Sequence, residues 1–370
     1  MENLMKRYYL KKSYIRDELN VFITNIILYF FKRNFEPKSK ILIKMTDGLG
    51  DIVIRTKLIE EIVNEYGKKN LYFLIKEEYK FLGEILDIPV ISFKKEDKYN
   101  LLKRIKKMYF INKLGIKKFI NLEWSNDDFI RNIYANEKIA VEALNEEDYK
   151  SNICCTKIIK VRKEKDFNKE KENVIDLISK VADNILKNKI EKENFNPNLR
   201  EYFPEFKINK NIVIGIGATD RNRVCSPYKM IEFIKIILEV YPKEKIYLVG
   251  NGKREKEYSE RIIEKLKNKD IISLVNKTSL KEVLERVTEA KVFIGFDSGL
   301  YNFRYTLRKK QIILLKDRNV PYFHKDNSII ALEGNDNSED NMIHDFEYPD
   351  RIMNSISEIE FKKALIKLKE

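Results

Sequence analysis

Short apolar runs alternate with longer segments of helical spacing along most of the chain. The predicted strands of the first half cover residues 41–45, 71–75, 90–93, 119–122, 139–141 and 158–161. Between them, apolar positions recur every three or four residues, as they do again at residues 174–186. This alternation predicts β-α-β units and therefore a parallel sheet covered by helices.

The same alternation restarts after a polar segment at residues 188–210, which contains two prolines and is typical of a linker. The predicted strands of the second half cover residues 212–216, 246–249, 271–274, 292–296 and 312–315. A length of 370 residues exceeds what one hydrophobic core usually organises. We therefore expect two doubly wound α/β domains, at residues 39–205 and 206–350, and a C-terminal helix at residues 351–370.

Residues 1–38 form a leader that mixes aromatic and aliphatic residues with cations. Its positive charges include Lys6, Arg7, Lys11, Lys12, Arg16, Lys32 and Arg33. The pattern predicts a basic amphipathic helix, and its longest apolar run, residues 21–31, is too short to span a bilayer. We favour a helix that packs its apolar side on the first domain. Adsorption to anionic lipid headgroups is the alternative.

Composition limits the chemistry that the chain can carry. Lys and Arg exceed Asp and Glu by 72 to 58, a net charge of +14 that favours anionic partners. Cys154, Cys155 and Cys225 offer neither a disulfide framework nor a metal-ligand spacing, which fits a reducing cytoplasm. His324 and His344 are the two histidines, so a histidine-rich metal centre is excluded. Carboxylates and cations must carry any catalysis.

A glycine-rich turn, Gly48-Leu49-Gly50-Asp51, follows the first predicted strand. Glycine can take backbone angles closed to other residues and lets a ligand approach the main chain. The turn places one carboxylate where a strand meets a helix, the position at which open α/β sheets bind ligands. Asp51 is therefore a candidate for chemistry.

Two turns of the second half have the composition of a phosphate site. Asp297-Ser298-Gly299 follows the strand at 292–296, and its amides and hydroxyl could bind a pyrophosphate; ordinary helix capping is the alternative. Residues 217–223 combine a small-residue turn with hydroxyl and guanidinium groups, which suits phosphate oxygens as well as a solvated loop. Gly250-Asn251-Gly252-Lys253 lacks the spacing of a P-loop or a dinucleotide fingerprint, which weakens kinase, NTPase and dehydrogenase functions.

Taken in order, these motifs resemble glycosyltransferase family 9, the heptosyltransferase-like family. The resemblance extends from residue 41 to about residue 315. It rests on Gly48-Leu49-Gly50-Asp51 with Thr56, on Gly217-Ala218, on Gly250, on residues 276–282 and on Asp297-Ser298-Gly299.

The resemblance implies the GT-B fold, in which two Rossmann-like domains face each other across a cleft. It also implies an inverting, metal-independent transfer, with the acceptor on the N-terminal domain and the nucleotide-sugar on the C-terminal one. Asp51 is then the general base, and Gly48, Gly50 and Thr56 form the acceptor-side turn. The implied donor-binding residues are Gly217, Thr219, Arg221, Arg223, Gly250, Glu255, Asp297, Ser298, Gly299 and Asn302. No cofactor is expected besides the nucleotide-sugar, ADP-linked in the family, as co-substrate.

Two positions depart from the family pattern. Asn302 stands where the family usually has His, and Val224-Cys225-Ser226-Pro227 replaces its usual Lys-x-Trp-Pro. Asn cannot become cationic, so the donor contacts must differ. A donor other than ADP-heptose, and a catalytically inactive binding or scaffold protein, are therefore alternatives.

Residues 98–118 hold eight Lys or Arg and no acid, within the predicted acceptor domain. Such a segment suits an anionic glycan or glycolipid acceptor or the inner-membrane surface, although a solvated helix face gives the same pattern. Nucleic acid is a weaker explanation, since no recognised binding motif accompanies the charge, and we do not expect it as a partner. Together with this charge, the family resemblance implies a cytoplasmic or peripheral membrane enzyme that adds a hexose or heptose to a lipopolysaccharide core or another surface glycan.

Overall fold

The computed structural model describes residues 2–123, 128–141, 153–161, 174–203, 209, 211–316, 328–334 and 351–370. The chain divides into two compact units. The first unit comprises Met1–Asp47, Leu58–Glu170 and Leu177–Glu191, and the second comprises Gly48–Lys57, Lys171–Asp176 and Lys192–Glu370.

The first sheet has six parallel strands in the order β3-β2-β1-β4-β5-β6. They are β1 Lys40–Met45, β2 Leu71–Lys76, β3 Val90–Phe93, β4 Ile116–Asn121, β5 Glu137–Val141 and β6 Lys157–Ile159. Central strands such as β1 are buried almost throughout, because helices cover both faces of a parallel sheet. The predicted apolar runs of the first half are therefore strands.

The helices that accompany the first sheet are α1 Glu2–Phe30, α2 Leu49–Ile54, α3 Thr56–Tyr66, α4 Lys80–Ile85, α5 Lys95–Tyr99, α6 Leu101–Lys113 and α7 Val174–Ile185. Helical spacing of apolar residues after the first strand predicts one helix over residues 51–66, but this segment forms two helices with a break at Arg55. The Thr56 hydroxyl donates to the carbonyl of Val53 at 2.8 Å, so it binds the preceding turn and is not free for a ligand.

The second sheet repeats this topology in the order β12-β11-β10-β7-β8-β9, again all parallel. Its strands are β7 Ile212–Gly215, β8 Ile246–Val249, β9 Ile271–Ser273, β10 Val292–Phe296, β11 Gln311–Leu315 and β12 Ile329–Glu333. Its helices are α8 Pro227–Val240, α9 Lys253–Leu266, α10 Leu280–Glu289, α11 Gly299–Thr306, α12 Arg351–Asn354 and α13 Glu358–Lys369. The sequence prediction missed β12, an edge strand whose residues are mostly only half-buried.

The C-terminal helix α13 packs on α8 of the second unit. The Phe233 and Phe361 rings lie 4.4 Å apart between centroids, and the Lys229 ammonium contacts the Glu358 carboxylate at 2.6 Å. α13 therefore completes the second hydrophobic core, which includes Phe361, Leu365 and Leu368.

Candidate functional site

The predicted donor-binding residues gather at the carboxyl edge of the second sheet. Strands β7 and β10 lie side by side there, although β8 and β9 continue from β7 while β11 and β12 continue from β10. Ligands of open α/β sheets bind in the crevice at this kind of switch point. The predicted residues stand in the segments that follow β7, β8 and β10, at positions 217–223, 250–255 and 297–299.

Asp297 and Arg223 form an ion pair at this edge. The Arg223 Nη1 atom lies 2.9 Å from Asp297 Oδ2, with the carboxylate side chain 18% exposed and the guanidinium side chain 48% exposed. Burial raises the pKa of Asp297 above its ordinary value, Arg223 and a hydrogen bond from Tyr301 oppose that rise, and the negative charge of Asp51 adds to it. Arg223 is thus an exposed cation paired with a partly buried acid.

Asp51 lies in the first turn of α2, whose N-cap residue is Gly48. Its side chain is 36% exposed, while that of Arg55, one helical turn later, is only 2% exposed. Arg55 Nη1 donates to the Asp51 carbonyl at 2.8 Å and lies 3.7 Å from its carboxylate Oδ1. The carboxylate is therefore fixed beside a buried cation and still reachable from solvent.

Helices α2 and α11 are in direct contact within the second unit, and glycines make the contact close. A Cβ atom on Gly299 would lie 2.9 Å from Leu49 Cβ and 3.1 Å from the Gly50 nitrogen. A Cβ atom on Gly50 would lie 2.5 Å from Asn302 Nδ2. The missing side chain of Gly50 thus leaves room for helix α11. The motif had suggested that it would leave room for a ligand. Asp51 and the turn Asp297-Ser298-Gly299 share one unit because of this contact.

Ser298 is the N-cap residue of α11, but its side chain makes no capping hydrogen bond. Its buried hydroxyl has no hydrogen-bond partner among the described residues. Asn302, 6% exposed, donates from Nδ2 to the Ser298 carbonyl at 3.4 Å, while its buried Oδ1 also lacks a partner there. Helix capping was the alternative explanation for this serine. The structure does not show capping by the Ser298 side chain.

Glu255 fills the space between the turns after β7 and β8. A Cβ atom on Gly217 would come within 2.9 Å of the Glu255 side chain, and one on Gly250 within 3.1 Å. Arg254 donates to the Glu255 carboxylate at 2.7 Å and also to the Ala218 carbonyl. Arg254 therefore links the two turns, and the sequence prediction missed it. In the sequence, its position as a cation beside the Gly250-to-Gly252 turn was the only sign of such a role.

The remaining predicted residues occupy different environments. Thr219 and Arg221 are exposed on the loop after β7, whereas Thr56 is buried. The motif at residues 276–282 is structural: Asn276 accepts from the Gly252 amide at 2.8 Å, and Ser279 with Glu282 forms a capping box for α10.

The cationic segment at residues 98–118 is not uniformly solvated. Arg104 is fully buried and donates to Asn132 Oδ1 at 2.8 Å, and Lys107 donates to the Ser92 carbonyl at 2.7 Å. Lys103, Lys106, Lys113 and Lys117 are exposed. Lys103 is paired with the Glu96 carboxylate, so Lys106, Lys113 and Lys117 are the exposed cations that could meet an anionic partner.

Comparison with known proteins gives matches in sequence and in structure. Residues 157–325 match the model of glycosyltransferase family 9 (heptosyltransferase). Lipopolysaccharide heptosyltransferase 1 of Campylobacter coli is 28% identical over 109 residues, which cover 29% of this chain and 32% of that protein. The chain thus aligns with about a third of the length of this curated relative.

Two solved structures superpose over nearly the whole chain. The family 9 glycosyltransferase of Veillonella parvula gives a TM-score of 0.66 at 18% identity, covering 90% of this chain and 98% of that one. E. coli ADP-heptose lipopolysaccharide heptosyltransferase II gives 0.65 at 13% identity, covering 89% and 98%. The predicted GT-B fold class is confirmed by this similarity and by the two six-stranded parallel sheets.

Proposed function

Residues 157–325 match the model of glycosyltransferase family 9 (heptosyltransferase), and on this premise we propose that the chain transfers a sugar from a nucleotide-sugar to a surface glycan. The sugar is a heptose or a hexose, and the acceptor is a lipopolysaccharide core or a related glycan. The names of the relatives support both, since they include an ADP-heptose lipopolysaccharide heptosyltransferase. The family resemblance predicted from the motifs is thereby confirmed.

In the proposed reaction Asp51 is the general base. It takes the proton of the acceptor hydroxyl while that oxygen attacks the anomeric carbon of the donor sugar. The bond from that carbon to the diphosphate breaks on the opposite face, so the configuration inverts. The nucleoside diphosphate leaves with the electron pair.

The observation that carries this proposal is the contact of α2 with α11. We call Asp297-Ser298-Gly299 the donor turn. The contact brings an accessible carboxylate, Asp51, close enough to this turn for its charge to raise the pKa of Asp297. Donor phosphate oxygens would bind the backbone amides at the start of α11, as anions commonly do at helix N-termini. Arg223 would add a guanidinium group, so that amides and cations stabilise the leaving diphosphate without a metal ion.

The proposed location follows from the acceptor. A lipopolysaccharide core is carried by a lipid, so an enzyme that modifies it works in the cytoplasm or at the inner face of the cytoplasmic membrane. The exposed lysines of α6 suit an anionic acceptor of this kind. Asn302, in place of the family's usual His, stays neutral and buried, which leaves Arg223 as the cation beside the donor turn.

Replacing Arg223 by Gln is expected to weaken the binding of ADP by about 10-fold to 100-fold, the usual contribution of a charge-assisted hydrogen bond. Isothermal titration calorimetry with ADP, UDP and GDP measures this and identifies the preferred base. Lys235→Gln, an exposed cation change on α8, is the control and should leave affinity unchanged. Equal ADP affinity in both variants would remove Arg223 from the donor site.

Turnover separates an enzyme from an inactive relative. The wild-type chain should release a nucleoside diphosphate from at least one nucleotide-sugar when a heptose-deficient lipopolysaccharide acceptor is supplied, as detected by mass spectrometry. Binding of nucleotide-sugars without release from any of them would favour a catalytically inactive binding protein.

A further inference from the structure

Helix α1 exposes a row of apolar side chains. The row consists of Ile15, Leu19, Phe22, Ile26 and Tyr29, which are between 45% and 67% exposed. Their spacing alternates between four and three residues, so they share one side of the helix. We call this row the α1 stripe. Phe30 and Phe31 extend it at the end of the helix, at 78% and 43% exposure.

The opposite side of α1 is fixed to the first unit. Val21, Thr24 and Leu28 are buried, and Leu28 belongs to a core cluster with Leu42 and Phe119. Asn132 donates to the Val21 carbonyl at 3.1 Å. The α1 stripe is therefore held in place by packing on its far side, and a helix that only capped the first core would not need a second apolar row.

Most of the α1 stripe lies in a segment without charged side chains, and two cations follow that segment directly. Residues 19–31 contain no charged side chain, Arg16 precedes this segment, and the exposed cations Lys32 and Arg33 follow it. The acids near its start are already paired, Asp17 with Arg16 at 3.2 Å and Glu18 with Arg131 at 2.8 Å.

Helix α6 packs against α1 and has the same character. It exposes Leu102 and Phe110 at 70% and 53%, together with Lys103, Lys106 and Lys113. The Phe31 ring contacts Tyr109 of α6 edge-on, with centroids 5.4 Å apart. The exposed surface of this helix pair is thus apolar, aromatic and basic.

We propose that the α1 stripe is a membrane-docking surface that inserts into the headgroup region of an anionic phospholipid bilayer. α1 then lies in the plane of the membrane, with Phe22, Tyr29 and Phe30 at the boundary of headgroups and acyl chains. Lys32 and Arg33 contact lipid phosphates. Among the helices that the structure describes, none is long and apolar enough to cross a bilayer, so this contact is monotopic. The proposal does not rest on the transfer reaction.

A second copy of the chain fits the α1 stripe less well. Coiled-coil seams favour Leu, Ile and Val in the apolar positions and place charges of both signs beside them. The stripe instead contains two aromatic side chains, and no charge flanks it between residues 19 and 31. Aromatic residues beside cations are typical of membrane interfaces.

Vesicle sedimentation tests the proposal with the full-length protein. The wild-type chain should sediment with vesicles that contain about one quarter phosphatidylglycerol and much less with pure phosphatidylcholine, because both apolar insertion and lipid charge contribute. The double variant Phe22→Glu with Ile26→Glu should lower the partition coefficient at least about tenfold, since two apolar side chains no longer insert. Lys32→Gln with Arg33→Gln should lower it only on the anionic vesicles.

Ile359→Glu is the matched control, because Ile359 is 69% exposed on α13 of the second unit. It should bind vesicles as the wild type does, and melting curves should show that all variants are folded. Equal vesicle binding by the Phe22→Glu, Ile26→Glu variant, or no binding by the wild type, would overturn the proposal. Loss of a concentration-dependent dimer in that variant, without any vesicle binding by the wild type, would assign the α1 stripe to a second copy.

Discussion

Replacing Asp51 by Asn is expected to lower kcat by about 10²-fold to 10⁴-fold, the usual contribution of a general base. Asn has the same shape as Asp and keeps the carbonyl hydrogen bond from Arg55, but it cannot accept the acceptor's proton. Initial rates of nucleoside diphosphate release at saturating donor measure the effect.

The same variant should still bind ADP, because the proposed reaction uses Asp51 on the acceptor side. Asp183→Asn, at an exposed position on α7, controls for the loss of one negative charge and should keep full activity. Turnover within about twofold of wild type in Asp51→Asn would contradict the role of general base, since even weak general bases contribute more.

Asp51→Asn also has an electrostatic readout that does not need the acceptor. The charge of Asp51 raises the pKa of Asp297, so its removal should let that pKa fall toward the ordinary value. A carboxyl titration followed by NMR would detect the change. An unchanged Asp297 titration would show that the two carboxylates are not coupled in solution.

Replacing Gly299 by Ala should lower the free energy of unfolding by about 1–3 kcal/mol, the usual cost of overpacking. The added methyl group would meet Leu49 Cβ and the Gly50 nitrogen at 2.9 Å and 3.1 Å, and the second of these is backbone. The overlap between the added methyl group and the Gly50 backbone can be relieved only if α2 moves away from α11. That movement would displace Asp51. Because a displacement of about 1 Å can cost 10²-fold in rate, kcat should fall with stability.

Gly48→Ala is the control for this substitution. Its methyl group would lie 3.5 Å from Asp51 Oδ2, an ordinary contact, and the φ angle of −72° suits alanine. Urea denaturation should therefore show a loss below about 1 kcal/mol for this N-cap change. Equal stability of Gly299→Ala and wild type would mean that the two helices are not packed as described.

The strands were predictable because buried parallel strands are continuous apolar runs. The apolar runs at residues 41–45 and 292–296 are clear examples, and both form central strands in the structure. Ile329–Glu333 was missed, since an edge strand needs little apolar sequence. The helix break at Arg55 was also missed because apolar residues keep their helical spacing across it.

The sequence predicted the turns that make up the candidate site, but it did not predict how they are arranged in space. Order along the chain identified the loops after β1, β7 and β10, since ligands collect at the carboxyl ends of parallel strands. The packing of Gly50 on Asn302, and the link from Arg254 to Ala218, depend on contacts between residues far apart in sequence. No local pattern encodes such contacts.

The leader shows a different limit. Its sequence raised packing on the first domain and adsorption to lipid as alternatives, because a pattern of apolar positions does not say how many sides of a helix they occupy. In the structure Leu28 is buried and Phe22 is 63% exposed, so one helix has an apolar side that packs and another that does not.

The contact of α2 with α11 limits how the two halves of the chain can be recombined. Residues 48–57 lie in the first half of the sequence, yet they pack with the second unit. A fragment that begins at residue 192 would leave Gly299 and Asn302 without the helix that covers them. A chimera that joins this C-terminal half to the N-terminal half of a relative must therefore preserve the fit of Leu49 and Gly50 to α11, and matching the linker alone would not suffice.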